Sequence, residues 1–245
     1  MPPAGCVVAE APAGAIGRGP DWAVLYDEDL VVAPTPALFD PEQWGNRVTG
    51  RAGRGRAGVV FVRAGDHEWA LRHYWRGGMV AAAGRDRYVW LGEARTRSFR
   101  EWRLLARLHA LGLPVPRPVA AAWQRRGLLY RADIATLRLP GTEPLSARLR
   151  STEPVPWAAV GRMIRRFHDA GACHADLNAH NVLIGAAGET WLLDFDRGRI
   201  LRAGSWREAN LARLERSLRK VAAEPEGPPF DERGWQALLA AYRAG

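Results

Sequence analysis

The stretch that decides the fold is His174-Ala175-Asp176-Leu177-Asn178-Ala179-His180-Asn181, followed at eighteen residues from Asp176 by Asp194-Phe195-Asp196. The first segment is a polar loop feeding the apolar run Val182-Leu183-Ile184. A Gly-Ala-Ala-Gly turn leads into a second run, Trp191-Leu192-Leu193, which Asp194 closes. Two short apolar runs separated by a glycine turn predict a strand pair. A helix is expected before the loop over 157–170, because Trp157, Val160, Ile164 and Phe167 form one apolar stripe and Gly171 ends it. Helix, polar loop, hairpin and acidic strand end therefore follow one another in a fixed order. Each half alone is common, and their order and spacing together carry the information.

That combination is similar to the catalytic loop and metal-binding strand end of protein-kinase-like phosphotransferases. Phosphoryl transfer asks a protein mainly for positioning and charge neutralisation. The resemblance gives Asp176 the role of accepting and orienting an attacking hydroxyl. Asn181 and Asp194 then supply the oxygen ligands that a hard cation, Mg2+, requires. His174 reads as a histidine bracing the loop, and His180 receives no role.

Working outward toward the N-terminus, residues 47–58 read as a glycine and arginine loop. Within it, Gly53-x-Gly55-x-x-Gly58-x-Val60 fits a phosphate-covering glycine loop, whose backbone N–H groups can approach an anion. A hairpin is expected from Val59–Val62 and Glu68–Tyr74 around Ala64-Gly65-Asp66. Where the kinase pattern has Val-Ala-Ile-Lys, this chain has Trp69-Ala70-Leu71-Arg72, so Arg72 stands in the place of the usual lysine. The natural ion-pair partner is Glu101, on a helix expected over 98–111 with Ser98 as N-cap and Glu101 closing a capping box. Phe99, Trp102, Leu105 and Leu108 make that helix's apolar stripe. A guanidinium is planar and bulkier than an ammonium. The sequence leaves two roles open for Arg72: a contact to ATP phosphates, or a structural pair with Glu101 alone.

Several further runs are more distinctive: Arg72-His73-Tyr74-Trp75-Arg76-Gly77-Gly78, Arg87-Tyr88, Thr96-Arg97-Ser98-Phe99-Arg100-Glu101, Gly112-Leu113-Pro114-Val115-Pro116-Arg117-Pro118 and Tyr130-Arg131-Ala132-Asp133-Ile134. They closely resemble the 3-deoxy-D-manno-octulosonic acid (Kdo) kinases of Gram-negative bacteria, a branch of the lipopolysaccharide kinases. The resemblance covers about residues 45–200 and makes Arg72 a habit of the family. It implies an α+β, protein-kinase-like two-lobed fold with a small β-rich N-lobe and a mostly helical C-lobe. It also implies ATP and Mg2+ as cofactors and phosphorylation of the 4-hydroxyl of Kdo on Kdo-lipid IVA. The enzyme is then expected as a peripheral protein on the cytoplasmic side of the inner membrane. Alternatives left open are a kinase of a heptose or another small molecule, and a catalytically degenerate basic binding module.

On this reading residues 1–44 form an N-terminal arm with a short strand near 22–26. Residues 45–118 form the nucleotide-binding lobe, ending in the stiff proline run as a hinge. Residues 119–245 form the catalytic and acceptor-binding lobe, opening in mixed turns up to Pro156 and closing in helices near 206–222 and 231–243. Only 49 residues follow Asp196 (245 − 196), with no Ala-Pro-Glu, which leaves little room for a peptide-binding platform.

Composition sets the frame for this chemistry. The chain has 245 residues, 47% of them hydrophobic, which excludes a disordered chain, and two cysteines, which excludes a disulfide scaffold. Thirty-five basic against 26 acidic residues give a net charge of +9. Lys220 is the single lysine, so 34 (35 − 1) are arginine. A positive field suits anionic partners without choosing among them. With the resemblance, the expected partners are Kdo-lipid IVA and an anionic membrane surface, not nucleic acid. Arg76, Arg95, Arg97 and Arg100 are candidate anion contacts, since guanidinium forks match carboxylate and phosphate. No targeting or membrane-spanning segment is legible. The 206–222 helix, with Leu211, Leu214, Leu218 and Val221 on one stripe and basic residues elsewhere, suits either core packing or a lipid surface.

Overall fold

The computed structural model describes residues 14–53, 58–75, 86–225 and 227–245. These residues form two compact units, one of 14–112 with 117–138 and a second of 113–116 with 139–245. The architecture is α+β, with the sheet in the first unit and most of the helix in the second.

In the first unit the strands are β1 (Ala15–Gly19), β2 (Trp22–Tyr26), β3 (Val48–Ala52), β4 (Val59–Ala64), β5 (His67–His73) and β6 (Tyr88–Val89), followed by helix α1 (Arg97–Ala110) and strands β7 (Pro118–Arg126) and β8 (Leu129–Leu137). They build one antiparallel sheet in the order β1-β2-β7-β8-β5-β4-β3, and β6 extends the edge of β8 beyond the end of β5. Trp44 and Phe39, from two short 3-10 turns, pack with Val24, Val62, Trp69 and Ala122 on one face. On α1, the stripe of Phe99, Trp102, Leu105 and Leu108 is buried, as its helical spacing predicts. Gly112 ends this helix at φ +67°, a conformation that a Cβ disfavours.

The sequence expectations differ from the structure at four places in this unit. The lead-in holds two strands, and β2 pairs with β7 from Trp22↔Gln124 to Tyr26↔Ala120, so residues 15–26 are integral to the sheet. The mixed turns expected after Pro118 are instead the long β7–β8 hairpin. In β7, Pro118 to Trp123 are all buried. An interior strand covered on both faces shows no alternation, and its run Val119-Ala120-Ala121-Ala122 has little β-propensity to reveal it. Residues 48–52, expected as part of the glycine and arginine loop, are strand β3, paired with β4 up to Ala52↔Val59. The capping box on α1 does not form: Thr96 is the N-cap, Ser98 Oγ donates to the Ala122 carbonyl at 2.7 Å, and Glu101 is engaged by Arg72.

The second unit contains β9 (Thr142–Pro144), α2 (Leu145–Arg148), α3 (Trp157–Asp169), β10 (Ala172–Cys173), β11 (Val182–Gly185), β12 (Thr190–Leu192), β13 (Arg199–Ile200), α4 (Trp206–Ala222) and α5 (Glu232–Ala244). The stripe on α3 is buried as expected, and Gly171 ends the helix at φ +72°. α5 lies so close to α3 that a Cβ on Gly161 would stand 2.2 Å from the Leu238 carbonyl oxygen. β11 runs between β12 and β9, antiparallel to both. On α4, Leu214, Leu218 and Val221 are buried inside this unit, so the stripe serves packing and is not a lipid-facing surface. Among the described residues no helix is long and apolar enough to cross a membrane.

Candidate active site

The loop between β10 and β11 is held by a buried histidine. The His174 Nδ1 accepts the Asp176 backbone N–H at 3.1 Å, and its Nε2 donates to the Leu193 carbonyl at 2.7 Å. An amide N–H can only donate and a carbonyl can only accept, so these partners fix the neutral, Nε2-protonated tautomer. Burial pushes the His174 pKa down, which keeps the ring neutral. The His174 main chain is clamped by Asn210 of α4, whose Oδ1 accepts its N–H at 3.2 Å and whose Nδ2 donates to its carbonyl at 3.0 Å. The ring packs on Phe195 at 4.8 Å, and Phe195 packs on Phe167 of α3 at 5.5 Å. His174 thus braces the loop, the role expected from the sequence.

What this bracing holds in place is Asp176, whose side chain is 62% exposed. Asn178 Nδ2 donates to Asp176 Oδ2 at 3.0 Å, and Arg213 Nη1 on α4 lies 3.4 Å from Oδ1. Asn178 also turns the loop, because its Oδ1 accepts the N–H groups of His180 at 2.9 Å and Asn181 at 3.1 Å. His180, given no role from the sequence, pairs through Nδ1 with Ser146 Oγ at 2.8 Å, tying the loop to α2.

Asn181 and Asp194 come from adjacent segments, joined by the Leu193 N–H donating to the Asn181 carbonyl at 2.9 Å. Asn181 Nδ2 donates to the Asp176 carbonyl at 3.0 Å. This fixes the amide orientation, and Asn181 Oδ1 accepts no hydrogen bond from the described residues. A side-chain oxygen left over in this way suits a hard cation. Asp194 has φ +61°, an uncommon conformation for a residue with a Cβ and one that turns the chain sharply at the strand end. Among the described residues no three His, Cys, Asp or Glu side chains converge as a metal cage.

The first unit supplies a separate cluster. Arg72 Nη2 on β5 reaches both Glu101 oxygens, at 2.5 and 2.6 Å, and the Tyr74 hydroxyl donates to the same carboxylate. The Glu101 side chain is only 3% exposed. The Arg72 guanidinium lies over the Tyr74 ring at 4.9 Å. Beside it, Arg97 lies over Tyr74 at 5.4 Å and Tyr88 at 4.8 Å. The expected Arg72–Glu101 pair is therefore formed. Gly53 sits at φ +85° with Gly58 Cα 3.3 Å from where its Cβ would be, so the tip requires a residue without a side chain there. Gly55 and Arg76 fall outside the described residues. Arg95 and Arg100 are exposed.

A model of the lipopolysaccharide kinase (Kdo/WaaP) family matches residues 44–242. The chain belongs to this family. Among curated proteins, the 3-deoxy-D-manno-octulosonic acid kinase of Xanthomonas oryzae pv. oryzae (strain PXO99A) is 45% identical over 229 residues, 92% of this chain and 91% of that protein. The protein of the same name from Xanthomonas campestris pv. campestris (strain B100) is 48% identical over the same shares of each chain. A third, from Stenotrophomonas maltophilia (strain K279a), is 48% identical over 212 residues, 85% of this chain and 84% of that protein. As a lipopolysaccharide kinase the protein is a phosphotransferase acting on a hydroxyl, and the two-unit α+β architecture accords with that fold.

Reading the sequence missed Asn178, Ser146, Asn210 and Arg213. Asn178 was findable, since an Asn two residues after the key Asp is a loop-turning signal. The other three come from α2 and α4, and no motif spacing points to them.

Proposed function

We propose that this lipopolysaccharide kinase transfers the γ-phosphoryl group of ATP to the 4-hydroxyl of Kdo on Kdo-lipid IVA, as a peripheral enzyme at the cytoplasmic face of the inner membrane. The single observation that carries the chemistry is the exposed Asp176 carboxylate on a loop whose backbone is locked by a neutral, buried histidine. The acceptor follows from the names of the relatives and from the length over which they match.

In this reading Asp176 accepts the hydrogen bond of the sugar hydroxyl and aims its oxygen at the phosphorus. The new O–P bond forms as the bond from phosphorus to ADP breaks, and the hydroxyl proton passes to the Asp176 carboxylate. Asn178 and Arg213 hold that carboxylate from two sides, limiting its rotation. Bound magnesium neutralises phosphate charge, and the groups that would hold it are Asn181 Oδ1 and the Asp194 carboxylate. Gly53, Gly55 and Gly58 cover the phosphates with backbone N–H groups. Arg72, steadied by Glu101 and Tyr74, places positive charge on the nucleotide side.

The test is an acceptor panel with labelled ATP: Kdo-lipid IVA, a heptosylated core oligosaccharide and an aminoglycoside, with the product position read by NMR. Phosphate on O4 of Kdo is expected. Label in heptose or aminoglycoside with none in Kdo overturns the assignment.

A further inference from the structure

The strand β6 and the tip of the β7–β8 hairpin break the usual pattern of a solvated sheet edge. Alternation is kept: Tyr88 is buried, and the Trp90 ring packs inward on Trp123 at 4.5 Å and Tyr130 at 5.9 Å. The residues facing outward between and after them are aliphatic, where polar ones are the rule. Val89 is 56% exposed and Leu91 64% exposed. Leu128, 78% exposed, adjoins them, since the Trp90 N–H donates to its carbonyl at 2.9 Å and Val89 pairs with Leu129. The hairpin turn itself is Gly127-Leu128, with Gly127 at φ +58°. Such a turn needs the glycine but makes no demand for leucine at its exposed second position. Three large exposed aliphatic residues thus stand on adjoining backbone at one end of the sheet, whereas scattered single ones would need no explanation.

The surroundings are cationic. A recess of about 470 Å³ on the same end of the sheet is lined by Arg87, Arg125, Arg126 and Arg131, the last paired with Asp86 at 2.6 Å, and by Asp21. Arg125 is pre-set there, its Nε donating to the Gly127 carbonyl at 2.7 Å and its guanidinium over the Trp90 ring at 5.1 Å. Exposed aliphatic side chains beside a cluster of arginines match the two layers of an anionic membrane surface, acyl boundary and phosphate headgroup.

We propose that this face, the Val89–Leu91 edge with the Leu128 tip and its arginine recess, docks the protein on an anionic lipid bilayer. The inference rests on the reading that the acceptor is lipid-linked, and it adds where the enzyme meets that lipid. The ladders give the docking an orientation within the first unit. From Arg126↔Leu129 through Arg72↔Ile134 and Val60↔Leu71 to Ala52↔Val59, the Gly127-Leu128 turn and the Gly53/Gly58 end of the β3–β4 pair point toward the same end of the sheet. A bilayer against the patch therefore lies toward the end of the sheet that carries Gly53 and Gly58.

The experiment is co-sedimentation of the full chain with phosphatidylcholine vesicles, with and without phosphatidylglycerol, alongside transfer to Kdo-lipid IVA dispersed in detergent. Wild type is expected to bind the phosphatidylglycerol vesicles, and more weakly as salt rises. Leu91→Asp/Leu128→Asp lowers the partition coefficient by about tenfold or more, and Arg126→Gln lowers it about fivefold. Val32→Asp is the control: Val32 is 99% exposed but follows β2 at the opposite end of the sheet, and its loss leaves binding unchanged. The leucine variant keeps its turnover on detergent-dispersed acceptor, showing that it is folded. Wild-type vesicle binding by the leucine variant, or an equal loss in Val32→Asp, overturns the docking face. Should no Kdo-lipid be phosphorylated while binding follows this pattern, the acceptor assignment falls and the docking face stands.

Discussion

Removing Arg72 isolates the energetics of the cluster that most distinguishes this chain from the lysine pattern. In Arg72→Met the Glu101 carboxylate keeps its buried position and loses both short contacts to the guanidinium. Breaking a buried pair by deleting one partner costs about 3–5 kcal/mol, because an uncompensated charge remains. Here the Tyr74 hydroxyl still donates to Glu101 and the Arg72 side chain is itself partly solvent-facing, so the low end applies. About 3 kcal/mol is a factor of more than 100 in the folding equilibrium. Urea unfolding followed by tryptophan fluorescence should show the midpoint falling by about 1–2 M. In Arg72→Met/Glu101→Gln the charge is gone, and most of the loss should be recovered, giving a coupling energy of about 2 kcal/mol in a double-mutant cycle. A cost below about 1 kcal/mol for Arg72→Met, or a double variant as unstable as the sum of the singles, refutes the argument that a buried charge is being compensated.

Three more outcomes follow from single contacts. His168 is buried against Trp206 and Tyr242, and burial is the largest cause of its pKa falling to about 4. The folded state therefore binds its proton more weakly than the unfolded chain. Stability from this group is full above pH 6.5 and is lost as the pH falls toward 4, by about 3 kcal/mol in all. The difference in unfolding free energy between wild type and His168→Gln should shrink over that window, and a constant difference would count against it. Gly161→Ala forces a Cβ into the Leu238 carbonyl and should cost about 1–3 kcal/mol in thermal unfolding despite alanine's helix propensity; an unchanged melting temperature would show that α3 and α5 part easily. Asn181→Ala removes the oxygen proposed to hold magnesium and should raise the magnesium concentration needed for half-maximal transfer about tenfold or more, with an unshifted magnesium curve as the contrary result.

The His174–Asp196 segment was legible because its signal resides in residue types at short, fixed spacings, and the strands between them are plain apolar runs. Asp176, Asn181 and Asp194 could therefore be placed on the loop and strand end they occupy. The Arg72–Glu101 pair was legible from position alone. What stayed hidden was hidden for physical reasons. β7 carries no alternation, since both of its faces are covered from Pro118 to Trp123. The Ser98/Glu101 spacing imitated a capping box, but tertiary partners outcompeted the local ones for both side chains. Asn210 and Arg213 act across more than thirty residues of sequence, where only the folded chain brings them to His174 and Asp176.

The most direct test of the account is the single-turnover rate of phosphoryl transfer from ATP to Kdo-lipid IVA by wild type and Asp176→Asn, measured with the KM for ATP. Asparagine preserves the shape of the loop but cannot take the hydroxyl proton. The account predicts a rate lower by about 10²–10⁴-fold, with the KM for ATP nearly unchanged. A variant that transfers phosphate at the wild-type rate contradicts it.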